Sequence, residues 1–218
     1  MAILDPIKPT ILAARTISNV DRGFATHLRL GDQHRALGLV TCDIDDALYV
    51  ALDEATKFAE VEVVYAKSFY AGSGYPSGPL SGEIIGILAG PTPAEVTAGL
   101  DACIAHCEQE AFFYSADEAG DLTFFPHVVS STGSFLSKEA GIAQGEPLAY
   151  LIAPPLEATY ALDAALKAAA VEMKVFYEPP SETNFGGGLL TGSHSACRAA
   201  AAAFTDAVLD VARNPRTY

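Results

Sequence analysis

Asp45 and Asp46 are adjacent carboxylates at the expected start of a helix. Neighbouring negative charges repel, so something must offset them. The positive end of the helix dipole is one answer, at about 0.3–1 kcal/mol per carboxylate. A bound cation is the other. Cys103-x-x-His106-Cys107 places two thiols and an imidazole on one helical face at i, i+3 and i+4. That spacing can hold a metal, but no fourth ligand is evident, and the cysteines serve equally well in an apolar stripe. Ser193-His194-Ser195 has the residue types of a nucleophilic triad, yet neighbours along a backbone rarely meet in the required geometry. A serine there is expected to cap a helix. Two glycine-rich loops, YAGSGYPSGPLSG at 70–82 and EPPSETNFGGG at 178–188, invite a phosphate-binding reading. Neither fits GxxxxGK[ST] or GxGxxG, neither contains lysine, and Glu178 and Glu182 would repel phosphate. The residue patterns assign no catalytic residue, no metal and no cofactor.

The elements that would position these residues occur twice. Residues 51–62 read ALDEATKFAEVE and 161–172 read ALDAALKAAAVE; with a shift of 110, eight of the twelve positions are identical, including Asp53/Asp163 and Lys57/Lys167. A period this long marks a duplicated domain, since solenoid repeats run about 20–50 residues. In the first copy Leu48, Ala51, Leu52, Ala55, Phe58 and Ala59 fall on one face of a helix over 44–59, with Asp43 or Asp45 available as its cap. The matching helix, 156–169, follows Pro154-Pro155. A strand follows each helix, at 61–69 and 171–177. The first alternates only loosely, which leaves burial on both faces open. Each half continues with a glycine-rich loop, a short apolar strand (83–89; 188–191) and a second helix. Thr92-Pro93-Ala94-Glu95 reads as a capping box. The two second helices carry stripes at Val96, Leu100, Cys103, Ile104, Cys107 and at Cys197, Ala201, Phe204, Val208, Val211. Apolar strands at 37–41 and 148–153 precede the first helices. The expected fold class is α+β: two tandem domains, 1–115 and 116–218, each a small, mostly antiparallel sheet covered by helices. The acidic stretch SADEAGD at 115–121 marks the junction.

Composition narrows the partners. The 218 residues carry 13 Lys and Arg against 27 Asp and Glu, a net charge of −14. Binding to nucleic acid through the bulk field is excluded, because phosphate contacts require cations. Solubility explains the charge; so does attraction of small cations to an acidic opening. No apolar run approaches the ~18 residues of a membrane span, so no membrane association is expected. Four cysteines are sparse for a disulfide scaffold, and residues 1–10 lack an apolar segment of the signal-peptide kind. The protein is expected to be soluble and cytoplasmic.

The run at 161–172, repeated within 37–64, resembles the signature of bacterial microcompartment shell domains, in which an Ala-Asp helix carrying a lysine runs into an Ala-x-Val-Glu strand. GEIIGILAG at 82–90, followed by a helix, fits as well. The extra segment before the signature resembles the circularly permuted subclass, whose domains are ferredoxin-like. The whole chain, including APPLEATY at 153–160 and FTDAVLDVARNP at 204–215, is similar to the L-type shell proteins of ethanolamine utilisation. The resemblance implies a homotrimer that mimics a hexamer, tiles with other shell proteins in the microcompartment shell, and carries a gated central pore and small pores that bind ethanolamine.

It also implies roles for residues. Asp45, Asp46 and Glu83 match the family's acidic small-pore positions; an ammonium offers three donors and a charge to such acceptors. The second half has Pro154-Pro155-Leu156 there, so the acidic pocket is not duplicated. Phe112 or Phe113 can supply an apolar or cation–π wall, or pack in the core. Lys57 and Lys167 match the family's tile-edge lysine, where a lone helix lysine would otherwise be merely solvated. The glycine-rich loops, with Tyr70, Gly72, Gly74, Tyr75 and Pro76 in the first and Glu182, Thr183, Asn184 and Phe185 in the second, are expected to line the central pore. The competing readings are an amine-processing enzyme using the acidic cluster and a soluble tandem-domain amine sensor. Sheets or tubes under the electron microscope favour the shell; a strictly monomeric protein favours the sensor.

Overall fold

Apolar stripes of helical and strand period resolve, in chain order, into β1 (Pro6–Ile7), β2 (Ile11–Ile17), α1 (Arg22–His27), β3 (Ala36–Cys42), α2 (Asp45–Phe58), β4 (Glu62–Ser68), β5 (Ile84–Gly90) and α3 (Pro93–Gln109). There follow β6 (Phe113–Ser115), β7 (Thr123–Val129), α4 (Ser134–Ala140), β8 (Leu148–Ala153), α5 (Pro155–Ala168), β9 (Val171–Tyr177), β10 (Gly186–Gly192) and α6 (His194–Arg213). The computed structural model describes residues 1–69, 77–179, 181 and 183–218. The chain forms two compact units. The N-unit comprises Lys8–Ala111 with Gly133–Leu136; the C-unit comprises Met1–Ile7, Phe112–Thr132 and Ser137–Tyr218.

The N-unit sheet has the strand order β2-β3-β5-β4, antiparallel throughout. β3 and β5 are central and nearly all apolar because both of their faces are covered. On one face α2 and α3 lay Leu48, Leu52, Val96 and Leu100 onto Val40, Ile84 and Leu88. Each such side chain, fully buried, contributes about 1.5–3 kcal/mol. On the other face Ala25 and Leu28, from α1 and its C-cap, pack with Leu37 and Ile87.

The C-unit sheet runs β1-β6-β7-β8-β10-β9, also antiparallel. Its helices approach closely through small residues. Ala158, Ala161 and Ala165 of α5 and Ala200 and Ala201 of α6 share one core with Leu151, Leu190 and Phe204. Both halves run strand, short helix, strand, helix, strand, strand, helix; the short helices α1 and α4 were not expected from the sequence, and the α+β class holds.

Four local expectations are corrected. The strand after α2 is not buried on both faces: β4 is an edge strand that exposes Glu62, Tyr65 and Lys67. Gly186–Gly188 are not loop but the start of β10, hydrogen-bonded between β8 and β9. A Cβ on Gly187 would stand 2.0 Å from the Leu151 carbonyl oxygen, so this strand can lie here only without a side chain. Neither Asp43 nor Asp45 caps α2: its N-cap is Ile44, with no side-chain hydrogen bond. The capping box is half made. Thr92 Oγ1 accepts the Glu95 N–H at 3.2 Å, but the Glu95 carboxylate accepts the Glu60 N–H at 2.7 Å, fastening α3 to the turn before β4.

One buried charge organises the N-unit. Asp53 of α2 is fully buried and accepts the N–H groups of Gly133 (2.7 Å) and Leu136 (2.8 Å). Beside it Thr56 Oγ1 accepts the Ser134 N–H at 3.0 Å. A carboxylate of α2 thus ties the first turn of α4 into this unit. Burial raises the Asp53 carboxyl above the usual range, against the lowering effect of these N–H donors and of Lys57.

Candidate functional site

Between β3 and α2 the chain turns through Asp43 and Ile44, which brings Asp45 and Asp46 to the first turn of α2. Both are buried. The Asp46 N–H donates to Asp45 Oδ1 at 2.9 Å, so part of the offset for Asp45 is backbone. Asp43 Oδ1 instead accepts the Thr10 N–H at 2.6 Å, which anchors the entry to β2. Across the sheet, the Glu83 N–H donates to the Cys42 carbonyl at 2.8 Å. The Glu83 carbonyl accepts from the Phe69 N–H at 2.9 Å and from Ser68 Oγ at 3.3 Å. This register depends on Gly82, whose φ of +62° is left-handed and whose Cβ would lie 2.1 Å from the Cys42 carbonyl oxygen.

The backbone thereby delivers Glu83 to the same corner as Asp45 and Asp43. Burial first, then the negative charges of Asp45 and Asp43, push the Glu83 carboxyl above the usual range. Half-buried carboxylates that repel one another can take a cation. Asp43 was missed as a member of this group. Its signal was an acidic residue two positions before a pair already singled out. Phe112 and Phe113 belong to the C-unit. Phe113 is buried and stacked on Phe125 at 4.9 Å, with Phe185 edge-on at 5.9 Å.

Of the loop residues, Tyr70, Gly72, Gly74, Tyr75, Pro76 and Glu182 lie outside the described residues. Thr183 Oγ1 is 3.3 Å from Ser181 Oγ, and the Ser181 N–H donates to the Phe185 carbonyl at 3.0 Å, closing a small turn in which Asn184 is exposed. Lys57 pairs with Glu54 and is half-buried; Lys167 pairs with Asp163 at 2.5 Å and is exposed. Cys42, Cys103 and Cys107 are all buried in the N-unit core. Hydrogen bonding to Cys107, then burial, pushes the Cys42 thiol up, and hydrogen bonding to Cys103 does the same for Cys107. Cys42 and Cys107 are protonated core thiols. Burial lowers the His106 pKa, and its ring faces Glu110 at 3.8 Å. Among the described residues no group of three or more His, Cys, Asp or Glu could hold a metal. Ser193 caps α6, accepting the Ala196 N–H at 3.2 Å, and His194 is exposed beside it.

Residues 36–116 match the BMC domain family. Over 215 residues, 99% of this chain and 98% of the relative, the sequence is 55% identical to the bacterial microcompartment shell protein EutL of Escherichia coli (strain K12). The chain belongs to the EutL family of bacterial microcompartment shell proteins. A second EutL, from Clostridium perfringens (strain 13 / Type A), is 58% identical over 211 residues, 97% of each chain. The crystal structure of ethanolamine utilization protein EutL from Leptotrichia buccalis C-1013-b superposes with a TM-score of 0.97 at 57% identity, covering 100% of both chains. The EutL fold, two microcompartment domains in tandem, accounts for the internal repeat, and the chain is a structural shell protein and not an enzyme. No described helix is long and apolar enough to cross a membrane.

Proposed function

We propose that this EutL-family chain forms a homotrimer with pseudo-sixfold symmetry in the wall of an ethanolamine-utilisation microcompartment, and that Asp45, Asp46 and Glu83 form a small acidic pore binding ethanolamine as its cation. The loops at 70–82 and 178–185 then surround the central opening. The observation that carries the amine site is the corner of α2 and β5, where Glu83 sits against Asp45 and Asp43 with its carboxyl raised. A bound cation would relieve the repulsion among these carboxylates. The names of the relatives support the compartment, and the repeat supports the trimer, since two similar tiles per chain close a hexagon in three copies.

Surface ion pairs are weak, about 0–1 kcal/mol each, so millimolar affinity is expected; 1 mM corresponds to about 4 kcal/mol. Calorimetry with ethanolamine tests the site. Asp45→Asn combined with Glu83→Gln should weaken binding by about tenfold or more, and ethanol should bind less well than the amine. The pH sign follows from the raised Glu83: as pH falls it takes up its proton earlier than an ordinary glutamate, so affinity should already decline as pH falls through the range just above the ordinary glutamate value of about 4.3. Unchanged binding in the double variant, or affinity flat across that range, rules out the acidic site and leaves the shell assignment standing.

Lys57 and Lys167 are proposed as tile-edge contacts. Changing both to alanine should leave the trimer intact in solution while reducing the arrays seen by electron microscopy. Arrays as extensive as the parent's would move the edge elsewhere.

A further inference from the structure

Three of the four cysteines meet in one place. Cys42, at the end of β3, and Cys103 and Cys107 of α3 are fully buried in the same N-unit core. The packing of α3 on β3 explains why. A Cβ on Gly38 would stand 2.7 Å from Val96 Cγ1 and 2.9 Å from Leu100 Cγ, so strand and helix are in close contact at that level. Four residues along a strand then advance about 13 Å, at about 3.3 Å each. About nine residues of helix cover the same distance, at about 1.5 Å each. Cys42, four residues beyond Gly38, therefore comes level with Cys107. Their thiols hydrogen-bond to each other, and Cys103, one turn back, bonds to Cys107 from the other side.

This pair lies beneath the acidic corner. The Cys42 carbonyl accepts the Glu83 N–H at 2.8 Å, and Cys42 Sγ is 3.7 Å from Asp43 Oδ1. Cys107 Sγ is 4.0 Å from the carbonyl oxygen of Ala47, in the first turn of α2 with Asp45 and Asp46. Thr41 and Asp43, on either side of Cys42, are partly exposed, so the pair sits at the edge of the core. Only one bond within the trio is open to it. Cys103 and Cys107 are i and i+4 on one helix, where Cβ atoms stand about 5–6 Å apart, and a disulfide needs about 3.5–4.5 Å. Cys42 and Cys107 come from separate elements and already touch. Cys197 is in the core of the C-unit.

We propose that Cys42 and Cys107 are a redox-sensitive pair, closed to a disulfide by a small peroxide, and that this bond fixes the corner carrying Asp43, Asp45 and Glu83. The proposal gives the amine site a regulator and rests on the reading above only for its effect on the amine. In the first step one thiolate attacks a peroxide oxygen. The O–O bond breaks, leaving a sulfenic acid on the protein and a hydroxide that takes up the thiol proton. The second sulfur, losing its proton, displaces the sulfenic hydroxyl as water and forms the S–S bond. Two electrons leave the sulfur pair and reduce one peroxide to two waters. Both thiols are held protonated, so the attacking thiolate is scarce and closure is slow at neutral pH. Burial admits a peroxide far more readily than a bulky disulfide reagent.

The test uses the full-length folded protein, reduced and then treated with hydrogen peroxide at mildly alkaline pH. Proteolysis and mass spectrometry should find the Cys42 peptide joined to the Cys107 peptide, lighter by two hydrogens, within one chain. Cys103→Ala should keep this link and Cys107→Ala should lose it. Absence of the link in the parent, or a link that persists in Cys107→Ala, overturns the pair. Hydrogen exchange reads the corner: the amides of 43–48 and of Glu83 should exchange at least about fivefold more slowly in the oxidised chain, and dithiothreitol should restore the faster rates. Unchanged exchange in a fully linked chain overturns the claim that the bond fixes the corner. Calorimetry reads the amine: a corner already ordered should bind ethanolamine about threefold or more tightly. Equal affinity in the two forms overturns the regulation. No binding in either form overturns the amine reading and leaves the disulfide standing.

Discussion

Asp53→Ala should lower the unfolding free energy by about 3 kcal/mol, while Asp163→Ala, at the identical position of the repeat, should change it by less than about 0.5 kcal/mol. Asp53 is the buried acceptor of two N–H groups at 2.7 and 2.8 Å. Truncation leaves both buried and unsatisfied, at about 1–3 kcal/mol each. Asp163 makes one exposed ion pair with Lys167, and such pairs contribute about 0–1 kcal/mol. Asp53→Asn keeps an acceptor and should recover roughly half of the loss. The pH dependence also separates the two. Between the unfolded value of about 3.9 and the raised native value of Asp53, the folded chain binds the extra proton, so this group's contribution to stability falls as pH rises through that window. Acidification from neutral pH should therefore not loosen the clamp. Denaturant titration of the variants decides it; equal losses for Asp53→Ala and Asp163→Ala would show that α4 is not held by this carboxylate.

Gly187→Ala should be at least as damaging, at about 3 kcal/mol or more, with loss of soluble protein. Gly187 pairs with Ile152 of β8 on one side and Tyr177 of β9 on the other. Its Cβ would meet the Leu151 carbonyl oxygen at 2.0 Å and Ile152 Cδ1 at 2.7 Å. Backbone cannot swing aside as a flexible side chain can, so relief requires opening the β8–β10 ladder in the middle of the sheet. Gly78→Ala is the control: nothing lies within 4 Å of its Cβ position, and it should be neutral within about 0.5 kcal/mol. A Gly187→Ala protein as stable as the Gly78→Ala protein would mean that β8 and β10 do not approach as described.

The duplication, the bounds of β8 and β9 and the serine and threonine caps of α6 and α3 were all legible in the residues; the short helices α1 and α4 were not. Each rests on short-range physics: a helical stripe, a cap beside its own N–H groups, a proline at a first turn. The shell-domain family was legible for the same reason, since its signature is one helix running into one strand. What the sequence could not decide is which of two identical residues is buried. Asp53 and Asp163 sit in nearly the same local sequence, and only the placement of Gly133–Leu136 on α2 makes one a buried clamp and the other a solvated ion pair. Gly186–Gly188 read as a loop because nothing local records that two strands will close over them. Asp43 read as a cap because its true partner, the N–H of Thr10, is 33 residues away. Glu83 stands 38 positions after Asp45, and it was the pairing of β3 with β5 that brought the two carboxylates to one corner. Local propensity acts within a few residues of itself; burial and charge repulsion depend on which strands become neighbours, and that is decided by the tertiary fold.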